Sequence, residues 1–420
     1  MTSSASSAAR PTAGRVFTHA QHALPDTSYD VVIIGAGRMG LAAAFYLRRL
    51  QVGARVLIAE RGGIPSEDGA TLHAPGVWHR QGLPAAWAAR AAWVRHLWAN
   101  PEVETGTARP HDPPFIACGH AHLHFTDEPA TPPPAGLRTF TPETFLASLC
   151  APAREQVQTL VDWPSVVAVT FDPLGGVGSG STLALSYGYA AVRLGADLAL
   201  NTEARLTPGG VTLRRLDVTN THQIVVAREE QVRAPVVIVA AGADSMTLLE
   251  HDLGVIRRHG RAYAQYPQLE VPPAPGLPAL AAQGFTVRPA ASYLRVLPPV
   301  QGADPHGYAP VGGRLMGVPV GTRREVLDAM LPHLEPLPAL MHDRLNLGKA
   351  VPDVPGAWEA RPVGGWPLHE RVADGVHLLL GGPGADQVGP SVAYDLAATL
   401  ADDDARPWVD PRAYRVKVEE

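Results

Sequence analysis

The sequence predicts a mixed α/β (α+β) chain: a Rossmann-like domain on a parallel sheet, with an antiparallel β-rich domain inserted into it. Three observations carry that expectation. Apolar runs at Val31–Ile34, Val236–Ala240 and Val376–Leu380 each lead into a turn of small residues and then a helical pattern, the mark of βα units in a buried parallel sheet. Between the second and third runs, residues 257–321 alternate like strands and are broken by proline-rich loops at Pro272–Pro278 and Pro298–Pro310. Finally, 420 residues are too many for one simple core, so two domains are expected.

The first unit is the most informative. Val31–Ile34 reads as a strand and Arg38–Arg49 as a helix, with Arg55–Ala59 as the next strand. Gly35, Gly37 and Gly40 between the first two form G-x-G-x-x-G. The first glycine permits a tight turn, the second lets a pyrophosphate approach the backbone, and the third lets helix and strand pack closely. The helix then aims its free N–H groups and positive dipole end at the phosphates. Glu60 falls about twenty residues after Gly40, where a carboxylate can accept hydrogen bonds from a ribose diol. The unit is built for an ADP-containing dinucleotide.

Farther along, Leu83–Asn100 has helical spacing, with Trp87, Ala91, Val94 and Trp98 on one face, read as core. Phe115–Phe125 alternates like one strand, placing Cys118, His120, His122 and His124 on one face. Ligands two apart on a strand fan out rather than converge, so a half-exposed strand or a wall of a substrate pocket is expected there and no metal. Ser181–Leu194 reads as helix, Asp197–Leu200, Leu216–Ala227 and Gln231–Val239 as strands, and Ser245–Leu253 as helix. Glu325–Leu334 and Pro338–Leu347 are expected to be helical, and a last helix ends near Ala401.

A net charge of -5 supplies no basic surplus for nucleic acid. No apolar run is long enough to span a bilayer, and the first 28 residues lack a signal-peptide core, so they are expected to be a disordered tail. Two cysteines, Cys118 and Cys150, make no disulfide framework, which points to a cytoplasmic location.

Four segments, VVIIGAGRMG…VLIAE, GATLHAPG, VVIVAAGADS and LLLGGPGADQVGPS, together with the triplet Ala360–Arg361–Pro362, carry a resemblance. Over Tyr29–Asp402 the chain resembles the D-amino acid oxidase (DAO) superfamily of FAD-dependent oxidoreductases, which includes glycine oxidase, sarcosine oxidase and dimethylglycine dehydrogenase. The resemblance implies FAD at Gly35, Gly37, Arg38, Met39 and Gly40, with its ribose at Glu60 and Arg61. It adds Thr71 and His73 from GATLHAPG, and Ala241 and Gly242 from the second βα unit. The turn Gly382–Pro383–Gly384–Ala385 and the helix beginning Asp386, Gln387 and Val388 would present N–H groups to the pyrimidine end of the flavin. The implied division is a tail at 1–28, an FAD-binding domain at 29–82, 160–256 and 356–404, a substrate domain at 83–159 and 257–355, and a tail at 405–420.

In such enzymes hydride passes from the carbon beside nitrogen to the flavin, and the imine formed is hydrolysed. Their substrates carry a carboxylate gripped by arginine and tyrosine, for which Arg361, Tyr293, Arg295 and Arg288 are the candidates. The implied activity is oxidation of the C–N bond of a small amino acid or N-substituted glycine, with electrons passing to O2 or another acceptor. A 2-hydroxy acid substrate and a non-catalytic flavin-binding subunit are the alternatives. His73 stands where dimethylglycine dehydrogenase-type enzymes bond the flavin covalently; a noncovalent pocket role is the other reading. Gly313–Arg314–Leu315–Met316–Gly317 lacks the lysine that helps oxygen accept electrons in sarcosine oxidase-like members. RPVGGWPLHE lacks the aspartate and final glycine that usually follow the family's Arg-Pro, which points to a diverged substrate.

Overall fold

The computed structural model describes residues 12–66, 69–107, 115–125, 136–161, 163–221, 223–265, 268–269, 271–282, 285–297, 314–315, 318–319 and 356–401. The expected helices at 325–334 and 338–347 and the tail at 405–420 lie outside them. A seven-stranded sheet runs in the order Val16–Phe17, Ala196–Ala199, Val56–Ala59, Val31–Ile34, Val236–Val239, Val376–Leu380, Leu368–Ala373. All neighbours are parallel except the last pair. This is the predicted Rossmann-like sheet.

Both faces of that sheet are covered, which is why its central strands Val31–Ile34, Val56–Ala59 and Val236–Val239 read as unbroken apolar runs. On one side Val31, Ile33, Val56 and Ile58 pack with helices Arg38–Arg49, Ala88–Ala99, Gly180–Arg193 and Ala385–Ala401. On the other, Val32, Ile34, Leu57 and Ala59 pack with helix Ser245–Leu253 and a three-stranded antiparallel sheet, Thr202–Thr207, Gly210–Val218 and Ile224–Arg233. Trp93 and Trp98 are fully buried in the first layer, so the tryptophan-rich helix belongs to this core, although residue 83 was expected to open the substrate domain.

The second large sheet has the order Gln268–Leu269, Leu294–Leu297, Phe285–Pro289, Ala279–Ala282, His120–Phe125, Val166–Asp172, Arg138–Phe140. It is antiparallel except where Ala279–Ala282 runs alongside His120–Phe125. Val166–Asp172 belongs here rather than to the FAD-binding segments, where the boundary at 160 had placed it. One face carries Ala121, Leu123, Phe125, Val169, Leu280, Val287 and Leu294, packed against Phe145, Val157 and Leu160 of helices Pro142–Ser148 and Ala151–Leu160. The pleat sends His120, His122, His124, Ala279, Ala281, Arg288 and Arg295 to the opposite face.

Five local expectations are corrected. Residues 12–28 are not wholly a free tail: Val16–Phe17 extends the parallel sheet at Leu198–Ala199. Arg15 donates from its backbone N–H to Asp197 at 2.8 Å, and the fully buried Arg215 donates to the carbonyls of Phe17 and His19 at 3.3 and 3.2 Å. These partners are far away in sequence, so no local pattern announces them. The helix expected from Leu83 begins as a 3-10 turn at Ala85–Trp87, after Pro84. Phe115–Phe125 is two strands, broken at Gly119 with φ +82°. Leu216–Ala227 is interrupted by a turn in which the Thr219 N–H donates to Gln223 O at 2.8 Å, and Gln231–Val239 breaks before Pro235, which has no N–H to give.

Asp172, buried at the end of its strand, receives the Arg80 backbone N–H at 2.8 Å and the Arg80 guanidinium at 2.7 Å. That clamp sets His79 flat against His120, ring centroids 4.2 Å apart. Burial pushes both imidazoles below the usual histidine range, and His122 down to about 4 for the same reason, with His124 adding to it. The folded chain therefore binds fewer protons here than the unfolded chain. We predict that stability is intact above pH 6.5 and falls as pH drops from there toward 4, by up to about 1.4 kcal/mol per pH unit for each histidine. Urea unfolding at stepped pH checks this, and a His122→Phe variant should show a shallower acid slope.

Candidate functional site

At the C-terminal ends of Val31–Ile34, Val56–Ala59 and Val236–Val239 the chain leaves a cleft of about 560 Å³, the crevice where open α/β sheets bind ligands. Its floor is the glycine turn. Gly35 has φ +105°, and a Cβ there would lie 2.5 Å from the Ala240 carbonyl oxygen. A Cβ at Gly40 would lie 2.0 Å from the oxygen of Gly35. Strand and helix thus touch backbone to backbone, and the helix N-terminus opens into the cleft. Gly37, Arg38 and Met39 line it, and the Arg38 N–H donates to Thr71 Oγ1 at 3.0 Å. Glu60 is buried, with one carboxylate oxygen accepting from the Ala36 N–H at 2.6 Å and the other from the Gly62 N–H at 2.8 Å. Two backbone donors therefore fix this carboxylate, leaving lone pairs for a diol.

The cleft also takes in Arg61, Thr71, Ala241, Gly242 and Gly382. Arg61 reaches across it to Asp244 at 3.5 Å. Gly40 supports the floor from beneath. His73 ends the short helix Ala70–His73 and stands two residues beyond Thr71, outside the lining. The C-terminal turn departs from expectation. The Ala385 N–H donates to Gly382 O, and those of Gln387 and Val388 donate to Gly384 O, so these amides serve the turn itself. Gly384 lies against the ring of Trp366, where a Cβ would come within 2.4 Å of it. Asp386 is buried and ion-paired to Arg38, and its carbonyl accepts from Trp98 Nε1 at 2.8 Å. Of this turn, Gly381 and Gly382 face the cleft.

The candidate substrate residues fall into two groups. Arg361 ends strand Gly356–Arg361 and donates to Glu359 on the same face at 3.3 Å. A Cβ at Gly382 would sit 2.3 Å from Ala360 O, so the Ala-Arg-Pro triplet lies directly on the C-terminal glycine turn. Tyr293, Arg295 and Arg288 form the other group on the second sheet. Arg295 donates to the Tyr293 hydroxyl at 3.0 Å, and Arg288 is its cross-strand partner. Arg288 also donates to Pro75 O and, at 3.3 Å, to Gly178 O, reaching the segment that follows Thr71 and His73. Burial, then Arg295, pull its pKa down to about 10. The Nε groups of Arg288, Arg295 and Arg361 are all buried without a partner among the described residues.

Sequence reasoning missed the wall formed by Thr202–Arg205 and the Trp358–Glu359 pair, all of which line the cleft. Strand alternation back from Arg361 could have found Glu359. The histidine row does share one face, and no metal-binding group occurs among the described residues. Nor is any described helix long and apolar enough to cross a membrane. Both cysteines are free.

The model of the DAO family, described as FAD dependent oxidoreductase, matches residues 30–384. No curated protein matches the chain by sequence. Among solved structures, glycine oxidase from Geobacillus kaustophilus superposes with a TM-score of 0.62 at 19% identity, covering 92% of this chain and 98% of that one. L-proline dehydrogenase from P. horikoshii gives 0.62 at 17%, covering 94% and 100%. Iminodiacetate oxidase from Chelativorans sp. BNC1 gives 0.59 at 20%, covering 91% and 98%. At these identities the likeness establishes the fold.

The backbone contact at Gly40 yields a direct test. Gly40→Ala forces a methyl group into the Gly35 carbonyl, and should destabilise the protein by about 1–3 kcal/mol or more, read as a lower urea midpoint. A midpoint equal to the parent's would contradict the close approach.

Proposed function

The chain belongs to the DAO family of FAD-dependent oxidoreductases, and from that premise we propose that it oxidises the C–N bond of a small amino acid or N-substituted glycine. The observation that carries this reading is the Tyr293–Arg295–Arg288 cluster: partly buried guanidinium groups, each with a buried Nε–H that has no partner among the described residues. Buried charge is costly without an opposite charge, and a planar guanidinium matches a carboxylate in two parallel hydrogen bonds.

The cleft suits FAD on its own geometry. The helix N-terminus at Gly37, which lines the cleft, fits a pyrophosphate, and the doubly held Glu60 fits a ribose diol. When bound, FAD supplies the two-electron acceptor; binding and orientation fall to the chain. The segments around the parallel sheet would hold the cofactor, with Arg61, Thr71, Ala241, Gly242 and Gly382 along its length. Arg295 and Tyr293 would fix the substrate carboxylate, so that the carbon beside nitrogen faces the flavin. Arg361 would act from the glycine turn, its charge moderated by Glu359. Buried surroundings strengthen each of these electrostatic contacts by excluding water. The imine product leaves to hydrolyse, and the electrons pass to O2 or another acceptor.

His73 is proposed as a noncovalent neighbour of the cofactor, because the cleft lining stops at Thr71. Acid precipitation tests it: the colour should stay in the supernatant, and a yellow pellet that turns white in His73→Ala would establish a covalent bond instead. Glu60→Gln should weaken FAD binding about tenfold, or about 1.4 kcal/mol, in a fluorescence titration of apoprotein. Anaerobic titration with amino acids, N-methylated amines and 2-hydroxy acids tests the activity. Bleaching by hydroxy acids alone would replace the amine reading, and bleaching by none would favour a non-catalytic flavin subunit. Reoxidation of the bleached protein in air identifies O2 as acceptor if it is complete within seconds.

A further inference from the structure

We infer that the cofactor cleft is closed at its mouth by a circuit of contacts, and that Asp244 is the latch through which FAD enters and leaves. This rests on the cofactor reading and extends it to how the cofactor is taken up and kept. Asp244 ends the 3-10 turn Gly242–Asp244 and lines the cleft together with Arg61, Ser66, Gly69 and Trp358. It pairs with Arg61 at 3.5 Å on one side and with Arg261 at 3.6 Å on the other. Arg261 stands over the ring of Trp358, 4.8 Å from its centroid, and Trp358 forms an isolated parallel bridge with Gly69. The Gly69 N–H donates to Ser66 O at 3.0 Å, and the chain from Ser66 leads back to Arg61, which closes the circuit.

Exposure places this circuit at the mouth rather than the floor. The Arg61 and Asp244 side chains are 37% and 32% exposed, whereas Glu60, which lines the same cleft, is 9% exposed. A dinucleotide with its ribose at Glu60 and its pyrophosphate at Gly37 would lie inside the circuit, and could reach those residues only if one link parts. The links are unequal. A backbone bridge and a backbone hydrogen bond fix the side formed by Ser66, Gly69 and Trp358. The two Asp244 pairs stand at the outer limit of hydrogen-bonding distance and are partly exposed, so they rest on a charge attraction that water weakens. The circuit therefore opens first at Asp244. One carboxylate serves both guanidinium groups, so the movement of a single side chain frees both walls. Entry and exit follow one path in opposite directions, so a latch slows both alike. A residue that only touches the bound cofactor slows release alone.

Stopped-flow FAD fluorescence reads the two rates separately, uptake by apoprotein and release from diluted holoprotein. Asp244→Asn keeps the side-chain shape and removes the charge that faces both arginines. Uptake and release should quicken together by about threefold to tenfold, the scale of two partly exposed ion pairs, with the equilibrium affinity kept within about twofold. Arg261→Gln loosens the latch from a residue outside the described lining, and should quicken both rates by a smaller factor. Raising NaCl from about 0.05 M to about 0.5 M should quicken both rates in the parent and change them little in Asp244→Asn, because salt screens exposed pairs. Faster release at an unchanged uptake rate would overturn the inference and make Asp244 an ordinary cofactor contact. So would Asp244→Asn and Arg261→Gln proteins, folded by their urea midpoints, that exchange FAD at the parent's rates. Apoprotein that takes up no FAD, in parent and variants alike, would sink the cofactor reading itself and this inference with it.

Discussion

The fold depends on one contact between two pieces of backbone. Gly40 on the first helix lies so close to the Gly35 carbonyl, and Gly35 to Ala240, that neither position has space for a side chain. That closeness seats helix Arg38–Arg49 on the sheet at the angle that opens its N-terminus into the cleft. It also lets Arg38 reach Asp386 on the C-terminal helix, joining two parts of the chain far apart in sequence. Cofactor cradle and sheet packing are therefore one structural fact. A substitution that relaxed the packing would also move the cradle.

How much of this the sequence shows depends on the range of the forces involved. The parallel strands were legible because burial on both faces leaves an unbroken apolar run, as at Val31–Ile34. The glycine turn and Glu60 were legible because their chemistry is fixed by spacing. The break at Gly119 and the N-terminal strand were not, because each is set by contacts with distant segments. In the site, Arg361 and Arg295 stood out as types, yet their partners Glu359 and Tyr293 decide what each can do. The C-terminal turn shows the limit most clearly. Its glycines were visible, but the internal use of the Ala385, Gln387 and Val388 amides is a matter of hydrogen-bond geometry that composition does not encode.

The two large sheets divide the electrostatic work. The parallel sheet gathers peptide dipoles and a single carboxylate, Glu60, whose orientation is locked by two backbone donors. The second sheet has an apolar face closed by helices and a polar face of histidines and arginines, in which imidazoles are held neutral by burial while guanidinium groups stay charged. Arginine keeps its charge in surroundings where lysine would tend to lose it, so a chain with 35 basic residues and two lysines, Lys349 and Lys417, is well suited to such a face.

The short strand Val16–Phe17 also guards the molecule against its own kind. Ala196–Ala199 is buried, and without that strand it would end the sheet with a row of unpaired N–H and C=O groups, a template for another chain to join. Two residues suffice to cover it because Arg15 and Arg215 anchor the segment on either side. Arg15, half-exposed, leaves a charge at the new border, which discourages a further strand from pairing there.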